Sequence, residues 1–312
     1  MTAPPSKPSE SLAKTSALTS TETSAGDSPH RSRWVHLAHL IRLRSQTGTL
    51  LLAIPSLWSL GLAFHGRPDL ELVCVFLAGA LLMRSAGVIL NDLADRRFDR
   101  HVARTKSRPL AAGTLTVREA WIAVLVLLGL AALLLSLLPP LTWLLSPFAV
   151  ALAAGYPYAK RFVSLPQAVL GMAFGWAVVM AWAAARHRLE LPAWLLFGST
   201  LCWAMAYDTL YALQDRIDDQ KIGVKSSALL FEEAAWLAIL AFEGLMLGLL
   251  ALAGWTERIG PLFYAVLIAV GIGMLAQGWK VRKPIAPALA FRFFRQHVWF
   301  GLAILVGILA GF

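Results

Sequence analysis

Nine apolar runs, each near the length needed to cross a bilayer, follow one another at roughly residues 47–64, 70–90, 119–138, 141–157, 165–185, 191–213, 234–253, 261–279 and 296–312. Each is continuous rather than alternating, so spanning elements must be helices and not strands of a barrel. With 58% hydrophobic and only 15% charged residues, the chain is too apolar for a soluble domain of 312 residues. The reading is an all-α polytopic membrane protein, a bundle of nine transmembrane helices. The net charge of +10 does not point to nucleic acid, because the basic residues sit between the runs. Twenty-one of them fall on the side of the amino terminus and four (Arg67, Arg186, Arg188 and Arg258) on the other. That asymmetry places the amino terminus and the charged connections in the cytoplasm and the carboxyl terminus outside.

Residues 1–33 are rich in Ser, Thr, Pro and Ala, cannot bury a core, and read as a disordered tail ahead of a single membrane domain at 34–312. No secretory h-region occurs there, and Glu10, Glu22 and Asp27 are unwelcome in a mitochondrial transit peptide. A bacterial inner membrane is therefore favoured over the mitochondrial one. Residues 34–46 pattern as an interfacial helix, with Val35, Leu37, Leu40 and Ile41 on one side. Cys74 and Cys202 lie in apolar runs without CxxC spacing, so neither a disulfide framework nor a zinc site is implied.

Two acidic elements close even-numbered runs on the cytoplasmic side, giving two aspartate-rich loops. In the first, Asn91, Asp95 and Asp99 step by four, so each lies about 40° around a helix from the last and all share one stripe. In the second, Asp215 and Asp219 repeat that step, and Asp208 lies two turns earlier on the same face. Facing stripes of carboxylates repel unless cations sit between them. Magnesium suits oxygen donors and commonly bridges one or two carboxylates to substrate phosphates. Arg96, Lys160 and Arg161 would receive the remaining phosphate charge, and Asp92 and Asp208 give polar support. A diphosphate handled at the mouth of an apolar bundle carries a lipid tail. Arg84 lies inside the second run, seven residues before Asn91 and about 10 Å deeper. A buried arginine there suits a carboxylate on a second substrate, the alternative being an internal pair with Asp208.

At these residues the chain resembles the UbiA superfamily of intramembrane aromatic prenyltransferases, and within it the hydroxybenzoate branch. The segment NDLADRRFDRHVARTKSRPLAAG matches the NDxxDxxxD signature with its RTxxRPL run, and YDTLYALQDRIDDQKIGVKSSA matches DxxxD with IGxKS. Between them, YPYAKRFVSLPQAVLGMAFGW resembles YPxxKRxxxxPQxxLGxxFGW. The resemblance implies Mg2+-dependent transfer of a polyprenyl group from its diphosphate to 4-hydroxybenzoate, in ubiquinone biosynthesis. By position it assigns metal and diphosphate binding to Asn91, Asp95, Asp99, Asp215 and Asp219, phosphate contacts to Arg96, Lys160 and Arg161, and the aromatic acid to Arg84. Tyr156, Tyr158, Tyr207 and Tyr211 are candidates to face an allylic cation through their rings. One departure stands out: where the branch shows RxDKPxG, this chain has RLRSQTG at residues 42–48. The rival readings are the same fold with another acceptor (haem, homogentisate, a naphthoate or a chlorophyll precursor) and a lipid-diphosphate transporter.

Overall fold

The computed structural model describes residues 29–100, 105–223 and 225–312, and within these ranges the side chains of Lys160 and Asp219 lie outside what it describes. Among the described residues there are helices and no strands. They run α1 (Pro29–Leu40), α2 (Thr47–Ala63), α3 (Leu70–Asp99), α4 (Pro109–Ala112), α5 (Val117–Leu135), α6 (Pro140–Phe162), α7 (Pro166–Arg186), α8 (Leu191–Ile222), α9 (Ser227–Phe231), α10 (Ala235–Thr256), α11 (Pro261–Val281) and α12 (Pro287–Leu309). The nine apolar runs fall one to one on the helices of 17 residues or more. Six of the candidate spans are long and apolar enough to cross a membrane by length and composition, and α2 is apolar but shorter. Pro, Ser, Trp and Tyr dilute the apolar character of α6 and α8. Those two helices carry much of the polar site described below.

The interfacial segment is helical from Pro29 to Leu40 rather than from 34 to 46. Leu37, Leu40 and Ile41 turn inward against Ile89, Leu110 and Ala120, while Trp34 and Val35 remain exposed. The two aspartate-rich elements are not loops. The apolar runs continue as helix through them, so Asn91–Asp99 forms the last turns of α3 and Asp208 and Asp215 lie within α8. The helix starts obey local rules: Asp69 caps α3 by accepting from the Glu71 N–H at 2.8 Å, and Thr116 and Glu119 form a reciprocal capping box on α5.

In lipid, helices gain little by hiding apolar surface from one another, so close packing and interhelical hydrogen bonds hold the bundle. Trp58 of α2 and Trp203 of α8 stack at 4.9 Å, the Trp58 indole donates to the Gly301 carbonyl at 2.9 Å, and the Trp203 indole donates to His297 Nδ1 at 2.9 Å. Ser59 ties α2 to the Val178 carbonyl of α7 at 3.0 Å. The LGMAFGW segment is a packing seam. A Cβ on Gly171 would lie 3.0 Å from the Leu201 carbonyl oxygen, and one on Gly175 would lie 3.0 Å from that of Phe197, so α7 and α8 touch through backbone. Gly171→Leu forces these backbones apart and is expected to destabilise the protein by about 1–3 kcal/mol, read as a lower thermal midpoint in detergent. An unchanged midpoint would remove the seam as a determinant of the fold.

Candidate functional site

A cavity of about 1080 Å³ opens between α2, α3, α6, α7 and α8. Its walls follow α3 for most of that helix, from Val75 and Phe76 near the start to Asp95 and Asp99 near the end. At 1.5 Å per residue this is a length of about 30 Å to Asp95 and about 36 Å to Asp99, enough to traverse the hydrocarbon thickness of a bilayer. One end is apolar, with Leu134, Leu135, Leu138 and Met180. The other is strongly polar, with Asn91, Asp92, Asp95, Asp99, Arg161, Asp208, Asp215 and Lys225. The volume exceeds what a drug-sized ligand fills, and the division into a charged mouth and a long greasy trench suits an amphiphile.

The four-residue spacing read from the sequence delivers Asn91, Asp95 and Asp99 to this cavity from α3, and Asp208 and Asp215 reach it from α8. The described members of the two acidic stripes, from two different helices, therefore border one cavity. Asp219, proposed as the fifth member, and Lys160 lie outside the described side chains. Arg161 is anchored at the mouth: its Nη2 donates to the Ala94 carbonyl at 2.9 Å, and its guanidinium lies 5.4 Å from the Tyr158 ring centroid and 5.8 Å from that of Phe98. Lys225 donates to the Phe162 carbonyl at 3.2 Å, which folds the segment after α8 back over the end of α6.

Two expected members do not line the cavity. Arg96, next to Asp95 on α3, does not border it. Tyr158 lies about 200° around α6 from Tyr156; it is half-exposed and serves instead as a platform for Arg161. The other three tyrosines do line it. Tyr207 and Tyr211 form an aromatic wall with Phe294, which stands edge-on to them at 5.9 and 5.0 Å, and Phe291 extends the wall. Arg84 faces the same space from α3, with Tyr156, Tyr207 and Tyr211 as electrostatic neighbours.

The sequence reading missed the clamp beneath the mouth. Asp92, assigned only polar support, is 1% exposed and is held by two arginines. Arg42 Nη2 donates to both its oxygens at 3.1 and 2.9 Å, and Arg108 Nη1 donates to Oδ1 at 3.1 Å. The same Arg108 nitrogen donates to Asp99 at 2.9 Å, and the Thr105 hydroxyl donates to the Asp99 carbonyl at 3.0 Å. Asp99 is thus partly neutralised by Arg108. Arg42 belongs to the divergent segment at 42–48 and ties it to α3. Gln167, from the PQ pair, accepts from the Ser227 N–H at 3.2 Å and also borders the cavity.

Among the described residues, no three His, Cys, Asp or Glu side chains cluster as a self-sufficient metal cage. Magnesium does not need one, since it takes one or two carboxylates and completes its shell with water and substrate phosphates. Asp95 and Asp215 with the amide oxygen of Asn91, beside Arg161 and Lys225, are a donor set of that kind. The residues fit the ion.

The profile of the UbiA prenyltransferase family matches residues 52–303. The chain is 46% identical over 282 residues to 4-hydroxybenzoate octaprenyltransferase of Azotobacter vinelandii, covering 90% of this chain and 94% of that one. It is 45% identical over 283 residues to the protein of that name from Pseudomonas aeruginosa, covering 91% and 95%. Among solved structures it is similar to an apo UbiA homologue from Aeropyrum pernix K1, with TM-score 0.71, 24% identity and coverage of 83% of this chain and 96% of that one. It is also similar to a UbiA homologue from Archaeoglobus fulgidus bound to GPP and Mg2+, with TM-score 0.60, 17% identity and coverage of 87% and 99%. At these identities the two structures speak for the fold.

Proposed function

The chain belongs to the UbiA prenyltransferase family, and on that footing we propose that it transfers a polyprenyl group from a polyprenyl diphosphate to the ring carbon ortho to the hydroxyl of 4-hydroxybenzoate, a step of ubiquinone biosynthesis. The observation that carries the reading is a single cavity joining a mouth of opposed carboxylates and cations to an apolar trench, with an arginine inside the span. The names of the relatives support the acceptor, and the ligands of the Archaeoglobus homologue support a prenyl diphosphate with Mg2+.

Asn91, Asp95 and Asp215, with Asp99 and Asp219, would hold Mg2+, which when bound would supply charge neutralisation of the diphosphate leaving group. Arg161 and Lys225 share that task as cations already fixed at the mouth. The trench receives the polyprenyl tail and excludes water. Heterolysis of the allylic C–O bond leaves positive charge on the prenyl carbon, next to the ring faces of Tyr156, Tyr207 and Tyr211. Arg84 holds the carboxylate of 4-hydroxybenzoate, whose ring carbon forms the new C–C bond and then loses its proton. The excess of basic residues on one side supports a cytoplasmic mouth in a bacterial inner membrane.

The test offers purified protein 4-hydroxybenzoate and a polyprenyl diphosphate, with Mg2+ or with excess EDTA. Prenylated hydroxybenzoate is expected only with the metal, and chelation is expected to lower turnover by about a thousandfold or more. Equal turnover in EDTA would sink the metal assignment. Diphosphate binding without product from any of several aromatic acids would favour a carrier.

A further inference from the structure

Gly48 is the second residue of α2, and its backbone gives no reason for a glycine: the glycines with left-handed φ are Gly66, Gly113 and Gly223. Within a helix glycine is also a poor choice, costing up to about 1 kcal/mol against alanine. What Gly48 supplies is space. A Cβ built on it would lie 2.5 Å from Arg84 Nε, 2.9 Å from Nη2 and 3.1 Å from Cζ, and these are the three nearest atoms. Because Cζ is the furthest of the three, the Cβ would sit off the Nε/Nη2 edge of the guanidinium rather than over its face. Arg84 is therefore seated edge-on against the backbone of α2, with its Nη1 side turned away from that helix. Both residues border the cavity, and Tyr156, Arg42, Tyr207 and Tyr211 are near enough to the guanidinium to act on it electrostatically.

We infer that Gly48 is a positioning residue: the hydrogen in place of its side chain is the seat of the Arg84 guanidinium, and it sets where the acceptor's carboxylate is held relative to the prenyl donor. The inference rests on the acceptor role proposed above for Arg84. A methyl group at 48 meets only the far end of a flexible side chain, so the helices need not move. The guanidinium must move, and with it the bound acid. A displacement of about 1 Å between reacting groups can cost on the order of a hundredfold in rate. Gly48 falls in the RLRSQTG segment that departs from the branch pattern at its Asp, Lys and Pro positions and keeps this glycine.

The experiment compares wild type, Gly48→Ala, Arg84→Met and the double variant, measuring KM for the aromatic acid, KM for the polyprenyl diphosphate and kcat. Gly48→Ala is expected to lower kcat/KM for the acid by roughly 10- to 100-fold while the donor KM stays within about twofold. In the double variant the alanine is expected to add nothing to Arg84→Met, since the group it displaces is gone. A wild-type kcat and acid KM in Gly48→Ala, with Arg84→Met impaired, overturns the seat and leaves the acceptor role of Arg84 intact. A wild-type acid KM in Arg84→Met overturns that role, and the seat with it. If Gly48→Ala folds poorly, Arg84→Met in the same chain is expected to restore its yield; equal loss in the double variant overturns the inference.

Discussion

Asparagine at both 95 and 215 is expected to lower prenyl transfer by about a thousandfold or more, with the protein still folded and still able to take a prenyl tail into its trench. Each substitution keeps the shape of the side chain and removes a negative charge, so the loss reports charge and not packing. The two carboxylates come from different helices, α3 and α8, and face one cavity. Removing one preorganised group that stabilises developing charge typically costs about a hundred- to a thousandfold. Groups that hold the same ion fail together, so the double variant should fall little further than the worse single variant. The measurement is turnover across a Mg2+ titration. The single variants should need more metal to reach their plateau, and a double variant with wild-type turnover would remove the metal site from these residues.

Asp92→Ala is expected to cost about 3 kcal/mol of stability and to weaken donor binding as well. The carboxylate is buried and carries three of the charged hydrogen bonds that tie Arg42 and Arg108 to α3. Removing one partner of a buried ion pair leaves the others uncompensated, at about 3–5 kcal/mol. The low end applies because the side chains of Arg42 and Arg108 are 23% and 19% exposed, and water can partly rescue them. Arg108 would then answer to Asp99 alone and draw it further from the mouth. The checks are a thermal midpoint several degrees lower in detergent and a raised KM for the polyprenyl diphosphate. A midpoint within a degree of wild type would show that the clamp holds nothing.

Much of the mouth was legible before any coordinates, because a helix converts spacing into direction. Asn91, Asp95 and Asp99 share a stripe at a step of four, and Asp208 and Asp215 share one at a step of seven. Arg84 was found by its rarity inside an apolar run. Periodicity did not separate the rest: Asp92 and Asp208 border the cavity although each lies about 100° from a neighbour that also borders it, while Arg96 and Tyr158 do not, and only the packed helices decided between them. Arg42 was invisible for a different reason. Its partner Asp92 lies 50 residues away, and no local pattern links a residue after an interfacial helix to one at the end of a span. Phe291 and Phe294 lie ahead of the last apolar run, at 296–312, and carried no reading until α12, which starts at Pro287, set them against Tyr207 and Tyr211.

What the sequence by itself determined was the membrane, the order of its spanning helices and the acidic ends of two of them. Those properties follow from composition and from a fixed rise and turn per residue, which are local and additive along the chain. The tertiary structure alone decided which faces of those helices share a cavity, that Asp92 is clamped by Arg42 and Arg108, and that Gly48 lies against Arg84. These depend on how helices approach one another, and in lipid that approach is set by shape and a few hydrogen bonds among residues distant in sequence. The glycines at 171 and 175 show the division clearly. The sequence displays them four apart on one helical face, and only the packed α7 and α8 reveal that backbone fills the space they leave.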